Sequence, residues 1–146
     1  MSPIRVDFYL LEDESLQAVA MLACQLLEKA YHNNNKVLVC CQTLEYAKYL
    51  DELAWSYKAD SFIPHKLYAE KEGDPPSVQI CYEDKSYICD DILLNLRTDI
   101  PLWATQARRI IEIVANNTAA KELARAHYRV YRTREYDLNT HNIALL

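Results

Sequence analysis

The chain is 146 residues long, with 16 Lys and Arg against 21 Asp and Glu and a formal net charge of -5, which is the size of one domain able to bury a proper core. Such an acidic chain has no general attraction for duplex nucleic acid or anionic lipid, because that attraction grows with the positive charge set against phosphate. No apolar run approaches a membrane span, the first residues lack the layout of a leader peptide, and five cysteines sit mostly within apolar runs, so the reading is a soluble cytoplasmic protein with buried thiols.

Residues 6–11 (VDFYLL) form an apolar run rich in strand formers, and Ser15 is placed to cap a helix reaching about Tyr31. Leu16, Val19, Ala20, Ala23, Leu26, Leu27 and Ala30 recur at helical spacing and predict its inner face. Asn33, Asn34 and Asn35 stop that helix and feed residues 36–41 (KVLVCC), a continuously apolar strand of the kind buried on both faces of a parallel sheet. Thr43 is placed to cap a second helix to about Trp55. This β-α-β-α start predicts right-handed crossovers and a parallel sheet.

Residues 61–65 (SFIPH) read as extended, since Pro64 steers Ile63 away from the helical region, and residues 70–76 (EKEGDPP) read as an exposed loop. Further strands are predicted at residues 78–82, 91–96 and 109–115, with a short helical segment at 102–106. Thr118 is placed to cap a last helix. The expected fold is α/β, an open three-layer sandwich with a mostly parallel sheet and Rossmann-like topology, in a single domain over residues 1–146.

A Rossmann-like start raises the question of nucleotide binding, and the residues answer against it. Dinucleotide and phosphate loops need several glycines after the first strand, so that backbone amides can approach phosphate. The whole chain has one glycine, Gly73, and the relevant turn is Leu11-Glu12-Asp13-Glu14-Ser15. Three carboxylates there repel phosphate, so no cofactor is expected. His32, His65, His127 and His141 lie far apart in sequence, without a metal-protease, redox or nucleophile-elbow spacing. Cys81 and Cys89 flank a polar turn and could approach one another, but with no histidine nearby they make no ligand set. Neither a metal nor a catalytic residue is expected.

The predicted last helix, residues 121–134 (KELARAHYRVYRTR), concentrates cations on an otherwise acidic chain. At about 100° per residue, Lys121, Arg125, Tyr128 and Arg132 share one narrow face, while Leu123, Ala126 and Val130 fall on the opposite one, read as buried. Exposed Lys and Arg can simply solvate a helix and complement its dipole. A cationic and aromatic stripe on an acidic protein also suits a small anionic partner such as an acidic peptide. Trp55, ending a helix, and Phe62, before a proline, are a second candidate pair, since partly exposed aromatics anchor protein partners.

The segments Phe8 to Leu11, Leu53-Ala54-Trp55, Ser61 to His65, Asp91 to Arg97, Leu123-Ala124-Arg125 with Tyr128, Tyr131-Arg132 and Leu138-Asn139-Thr140 together resemble the chi subunit of bacterial DNA polymerase III. The resemblance runs nearly end to end and departs mainly at residues 70–76, 83–87 and 142–146. It implies a non-catalytic α/β subunit of the polymerase holoenzyme that joins the clamp loader, through the psi subunit, to the acidic C-terminal tail of single-stranded DNA-binding protein. That tail ends in Pro-Phe. Carried over by position, Lys121 and Arg125 match the family's basic contacts, Tyr128 its aromatic wall and Val114 an apolar floor, with Arg132 an added donor on the same face. Trp55 and Phe62 match the surface that takes psi and is associated with an XPD-like repair helicase. Two other readings stay open: a module that holds single-stranded nucleic acid on the stripe with bases stacked on Tyr128, Tyr131 or Tyr136, and a small α/β enzyme with an unfamiliar site.

Overall fold

The computed structural model describes residues 3–56, 65–67, 77–83, 85 and 87–143. Their elements follow in the order β1 (Arg5–Leu11), α1 (Leu16–His32), β2 (Val37–Cys41), α2 (Leu44–Ser56), β3 (His65–Leu67), β4 (Val78–Cys81), β5 (Ile92–Leu96), a 3-10 helix (Leu102–Gln106), β6 (Arg109–Val114), α3 (Thr118–Thr133) and β7 (Asp137–Ile143). One sheet runs β3-β4-β2-β5-β6-β1-β7, and every neighbouring pair is parallel. The extended stretch read at residues 61–65 is described only at His65, which opens β3. The loop at residues 70–76 lies outside the described residues.

Chain direction across the sheet explains the layers. From β1 through β2 to β3 the chain moves one way, and α1 and α2 pack on one face against Val39, Ile80 and Leu94. From β4 through β5 and β6 to β7 it moves back, and the 3-10 helix and α3 pack on the other face against Phe8, Leu93 and Ile110. Crossovers of one hand put their connections on opposite faces when their lateral direction reverses. The result is the open three-layer α/β sandwich that the strand and helix pattern predicts.

The helix ends show local chemistry closely. Ser15 Oγ accepts from Ala18 N at 3.1 Å, and Thr43 Oγ1 accepts from Tyr46 N at 3.1 Å, as expected of N-caps. α3 differs: Asn117, not Thr118, is its N-cap, with Asn117 Oδ1 accepting from Ala120 N at 2.8 Å. Asn places its acceptor as well as Thr does and stands one residue earlier, where the backbone is still extended. At the other ends, α1 and α3 close with paired bonds of the Schellman type: Asn35 N to Ala30 O and Asn34 N to Tyr31 O, then Tyr136 N to Tyr131 O and Glu135 N to Arg132 O. Both motifs need a left-handed residue, and here Asn34 (φ 62°) and Glu135 (φ 61°) fill a place that glycine usually takes.

Two expectations about α1 and the thiols need correction. Leu16, placed on the inner face by its spacing, is 70% exposed, because it opens α1 at the edge of a cavity beyond the carboxyl ends of the strands, while Ala18 and Val19 in the same turn are buried. Cys81 does not meet Cys89. Its Sγ lies 3.6 Å from Cys40 Sγ on the paired strand β2, while the Cys89 thiol donates to Ile92 O.

β7 was not anticipated from the sequence, because DLNTHNI carries no apolar alternation. It pairs along its length with β1 and is held sideways by a buried carboxylate. Asp7, fully buried on β1, accepts from Arg5, Arg109 and His141, the last at 2.8 Å, and the His141 ring stacks on Tyr9. Burial pushes the Asp7 carboxyl up, but these bonds and the Arg109 charge outweigh it and hold the group at about 2.

Candidate functional site

α3 is seated on the sheet by a polar cluster. Glu112, on β6, points to the α3 face and is 6% exposed. Its carboxylate lies 3.0 and 3.1 Å from His127 Nδ1 and accepts from Tyr131 OH at 2.6 Å and Asn95 Nδ2 at 3.0 Å. His127 Nε2 lies 2.9 Å from Thr98 O. Burial works to lower the His127 pKa, but the bond and charge of Glu112, aided by the Thr98 carbonyl, raise it above the ordinary histidine value. Burial first, and then the Glu112 charge, push Tyr131 upward.

This cluster overturns the expected orientation of the helix. Ala120, Ala124, His127 and Tyr131 face the sheet, whereas Leu123 and Ala126 are only half-buried and Val130 is exposed. The packed arc is therefore rotated by about a quarter turn from the apolar arc of the sequence, at 100° per residue. The rotation moves the cationic stripe from the crest of the helix to its flank, where helix meets sheet.

On that flank a groove of about 370 Å³ opens between α3 and the outer strand β7. Phe8, Leu10 and Val114 of β1 and β6 floor it, Lys121, Arg125 and Tyr128 of α3 form one wall, and Thr140 of β7 lies opposite. The Phe8 and Tyr128 rings stand 5.7 Å apart at 48°, so the floor fixes the direction of the aromatic wall. Lys121, Arg125 and Arg132 are exposed, and none is paired with a carboxylate among the described residues. The groove can thus seat an apolar side chain on its floor and an anion at its rim.

Four of the five residues expected to act together, Val114, Lys121, Arg125 and Tyr128, line this one groove. Arg132 is exposed one residue before the end of α3 and does not line it. Trp55 lies in α2, on the other face of the sheet, and Phe62 lies outside the described residues. Phe8, Leu10 and Thr140 were missed by sequence reasoning. The alternation of Val6, Phe8 and Leu10 on one face of β1 is the signal that marks the first two.

A second cavity, of about 590 Å³, lies on the opposite flank of α3 at the carboxyl ends of β2, β5 and β6, with Leu16 at its edge. Its polar side chains are engaged with neighbours: Gln42 with Thr98, Asn95 with Glu112, and Arg97 with Asp99. At the β1–α1 turn, Asp13 Oδ1 accepts from Ser15 N at 2.7 Å, and Glu12, Asp13 and Glu14 are exposed, leaving a carboxylate-rich turn where nucleotide folds present amides. Among the described residues no three His, Cys, Asp or Glu side chains are grouped to hold a metal ion, and no helix is long and apolar enough to cross a membrane.

A family model described as DNA polymerase III chi subunit, HolC, matches residues 4–139. The chain belongs to the chi subunit family. It is 34% identical over 138 residues to DNA polymerase III subunit chi of Escherichia coli (strain K12), a match covering 91% of this chain and 94% of that protein. Pseudomonas aeruginosa chi is 32% identical over 139 residues, 95% of this chain and 96% of its own length, and Haemophilus influenzae chi is 30% identical over 138 residues. Membership makes this chain a component of DNA replication, and the groove residues of β1, β6 and α3 lie within the matched span, with Thr140 just beyond it.

Proposed function

We propose that this chi-family protein is a non-catalytic adaptor that joins the polymerase III clamp loader, through the psi subunit, to the acidic C-terminal tail of single-stranded DNA-binding protein. The observation that carries the reading is the groove itself: Lys121, Arg125, Tyr128 and Val114 meet around one apolar floor. A tail ending in Pro-Phe needs that combination, cations for its carboxylates and a pocket for its terminal ring. Arg132 extends the cationic surface toward the acidic residues upstream. An adaptor also needs a second surface clear of the first, and α2, which carries Trp55, packs on the opposite face of the sheet. Trp55 and Phe62 would anchor psi, and an XPD-like repair helicase would use the same aromatics.

Titration with the tail peptide tests the reading. Arg125→Ala should weaken binding by roughly 1–3 kcal/mol, the range for a lost bond to a charged partner. Removing the peptide's terminal Phe should abolish binding at any salt, whereas added salt should weaken the intact peptide only in part. Unchanged affinity in Arg125→Ala, or equal binding of a scrambled acidic peptide, would leave the stripe a solvated face. Tighter binding of a single-stranded oligonucleotide than of the peptide would favour the nucleic-acid module. For the psi contact, Phe62→Ala should stop copurification with psi without unfolding the chain. A stability loss of about 3–5 kcal/mol would instead mark Phe62 as core.

A further inference from the structure

The outer side of the groove is an edge of the sheet. Thr140 closes it there, and Thr140 belongs to β7, the last strand of the sheet. Asp137 N donates to Ile4 O at 2.9 Å, which fixes the phase of the ladder, because alternate residues of a parallel strand turn both main-chain groups to the same side. Asp137, Asn139, His141 and Ile143 therefore face β1, and Leu138, Thr140 and Asn142 turn their N–H and C=O groups outward. No strand or loop covers that side among the described residues. Proteins commonly guard such edges with lysine, proline or a bulge. β7 carries none of these over its seven residues, DLNTHNI.

The edge is also held in place from within. His141 bonds Asp7 and stacks on Tyr9, so the strand presents its outward groups on a fixed frame. Beside it, Lys121 and Arg125 stand across the groove from Thr140, and the flank is cationic on a chain of net charge -5. An extended acidic peptide is the occupant these charges select, and neutral or basic chains are not.

Resting on the groove reading above, we propose that β7 takes the acidic peptide as an eighth strand: the terminal apolar residues sit in the groove, and the residues upstream pair with the outward main-chain groups of Leu138, Thr140 and Asn142. Strand addition supplies affinity through main-chain bonds independent of side-chain identity, while the groove supplies selection. A tail of varied acidic sequence would then be held as firmly as a fixed one, provided its end is kept.

Amide hydrogen exchange of the intact chain, followed by NMR with and without an acidic peptide ending in Pro-Phe, tests this. The Leu138, Thr140 and Asn142 amides should exchange freely alone and slow by roughly tenfold or more when the peptide saturates, while Asn139 and His141, already paired with β1, should not change. Two peptides N-methylated at alternate upstream residues, in opposite phase, give the second measurement: only one phase should weaken binding, by about fivefold or more, since only every other amide faces a paired strand. If both phases bind like the parent and the three amides stay free while Arg125→Ala still weakens the peptide, strand addition is wrong and the groove stands. If the peptide binds Arg125→Ala as well as the parent chain, or does not bind at all, the groove reading falls and strand addition with it.

Discussion

Both ring nitrogens of His127 face acceptors, the Glu112 carboxylate and the Thr98 carbonyl. Only the imidazolium can donate to both, so the two acceptors favour the charged form and, against burial, raise its pKa. A group whose native pKa lies above its unfolded value contributes stability that is complete below the unfolded value, about 6.5 for histidine, and is lost as pH rises through the native value. The chain should therefore lose stability from about pH 6 upward through that window, and His127→Gln should flatten this loss. Urea midpoints of both proteins at several pH values measure the difference, and parallel curves would refute it. His127→Ala should cost about 3 kcal/mol or more at pH 6, because it leaves a buried carboxylate without its cation. The Asp7 cluster works in the opposite sense. Its stabilisation is present above the unfolded carboxyl value and fades only as pH falls toward about 2.

The turn from α3 to β7 shows what a chain with one glycine must do at the scale of an element. Glu135 occupies a left-handed position at φ 61°, which costs a residue with a Cβ roughly 1–2 kcal/mol. Tyr136 stacks on Tyr131 with centroids 6.0 Å apart, supplying the contact that accompanies this type of helix end. Glu135→Gly should relieve the strain, and after the entropy that glycine loses on folding a gain of up to about 1 kcal/mol should remain. Asn34→Gly should gain less, since Asn tolerates the left-handed region. Equal effects of the two substitutions in denaturant unfolding would count against strain at Glu135. The same stretch of chain shows where reading by residue type works and where it fails. The run at residues 36–41 was legible because burial on both faces of β2 fills it with apolar side chains, and that at 109–115 because Ile110, Ile111, Ile113 and Val114 carry the pattern past the one buried carboxylate, Glu112. The arc of α3 that packs was not, because His127 and Tyr131 become buriable only through Glu112, a partner on another element. β7 was illegible for a related reason: an edge strand held by backbone pairing and by Asp7 needs no apolar alternation. The cations of the groove could be read from spacing, while Val114 came from family resemblance and Thr140 from neither.

At the scale of the molecule, the sheet is doubly covered like that of a nucleotide-binding fold, and its first turn is acidic and free of glycine. ATP, NAD and FAD should each fail to raise the melting temperature. A true ligand at a hundredfold excess over its dissociation constant would add about 2.7 kcal/mol, so a reproducible shift with any of them would refute this. The three layers have another consequence, carried by the thiols. All five cysteines are buried, Cys24 on the inward side of α1 at one face of the sheet and Cys89 at the other, and burial pushes the thiols of Cys24, Cys41 and Cys89 up to about 12. A thiol reagent in the medium meets none of them until a layer lifts away. The chain thus carries its own clocks, one for each face: the labelling time of Cys24 dates the departure of α1, and that of Cys89 dates the opening of the side on which α3 rests.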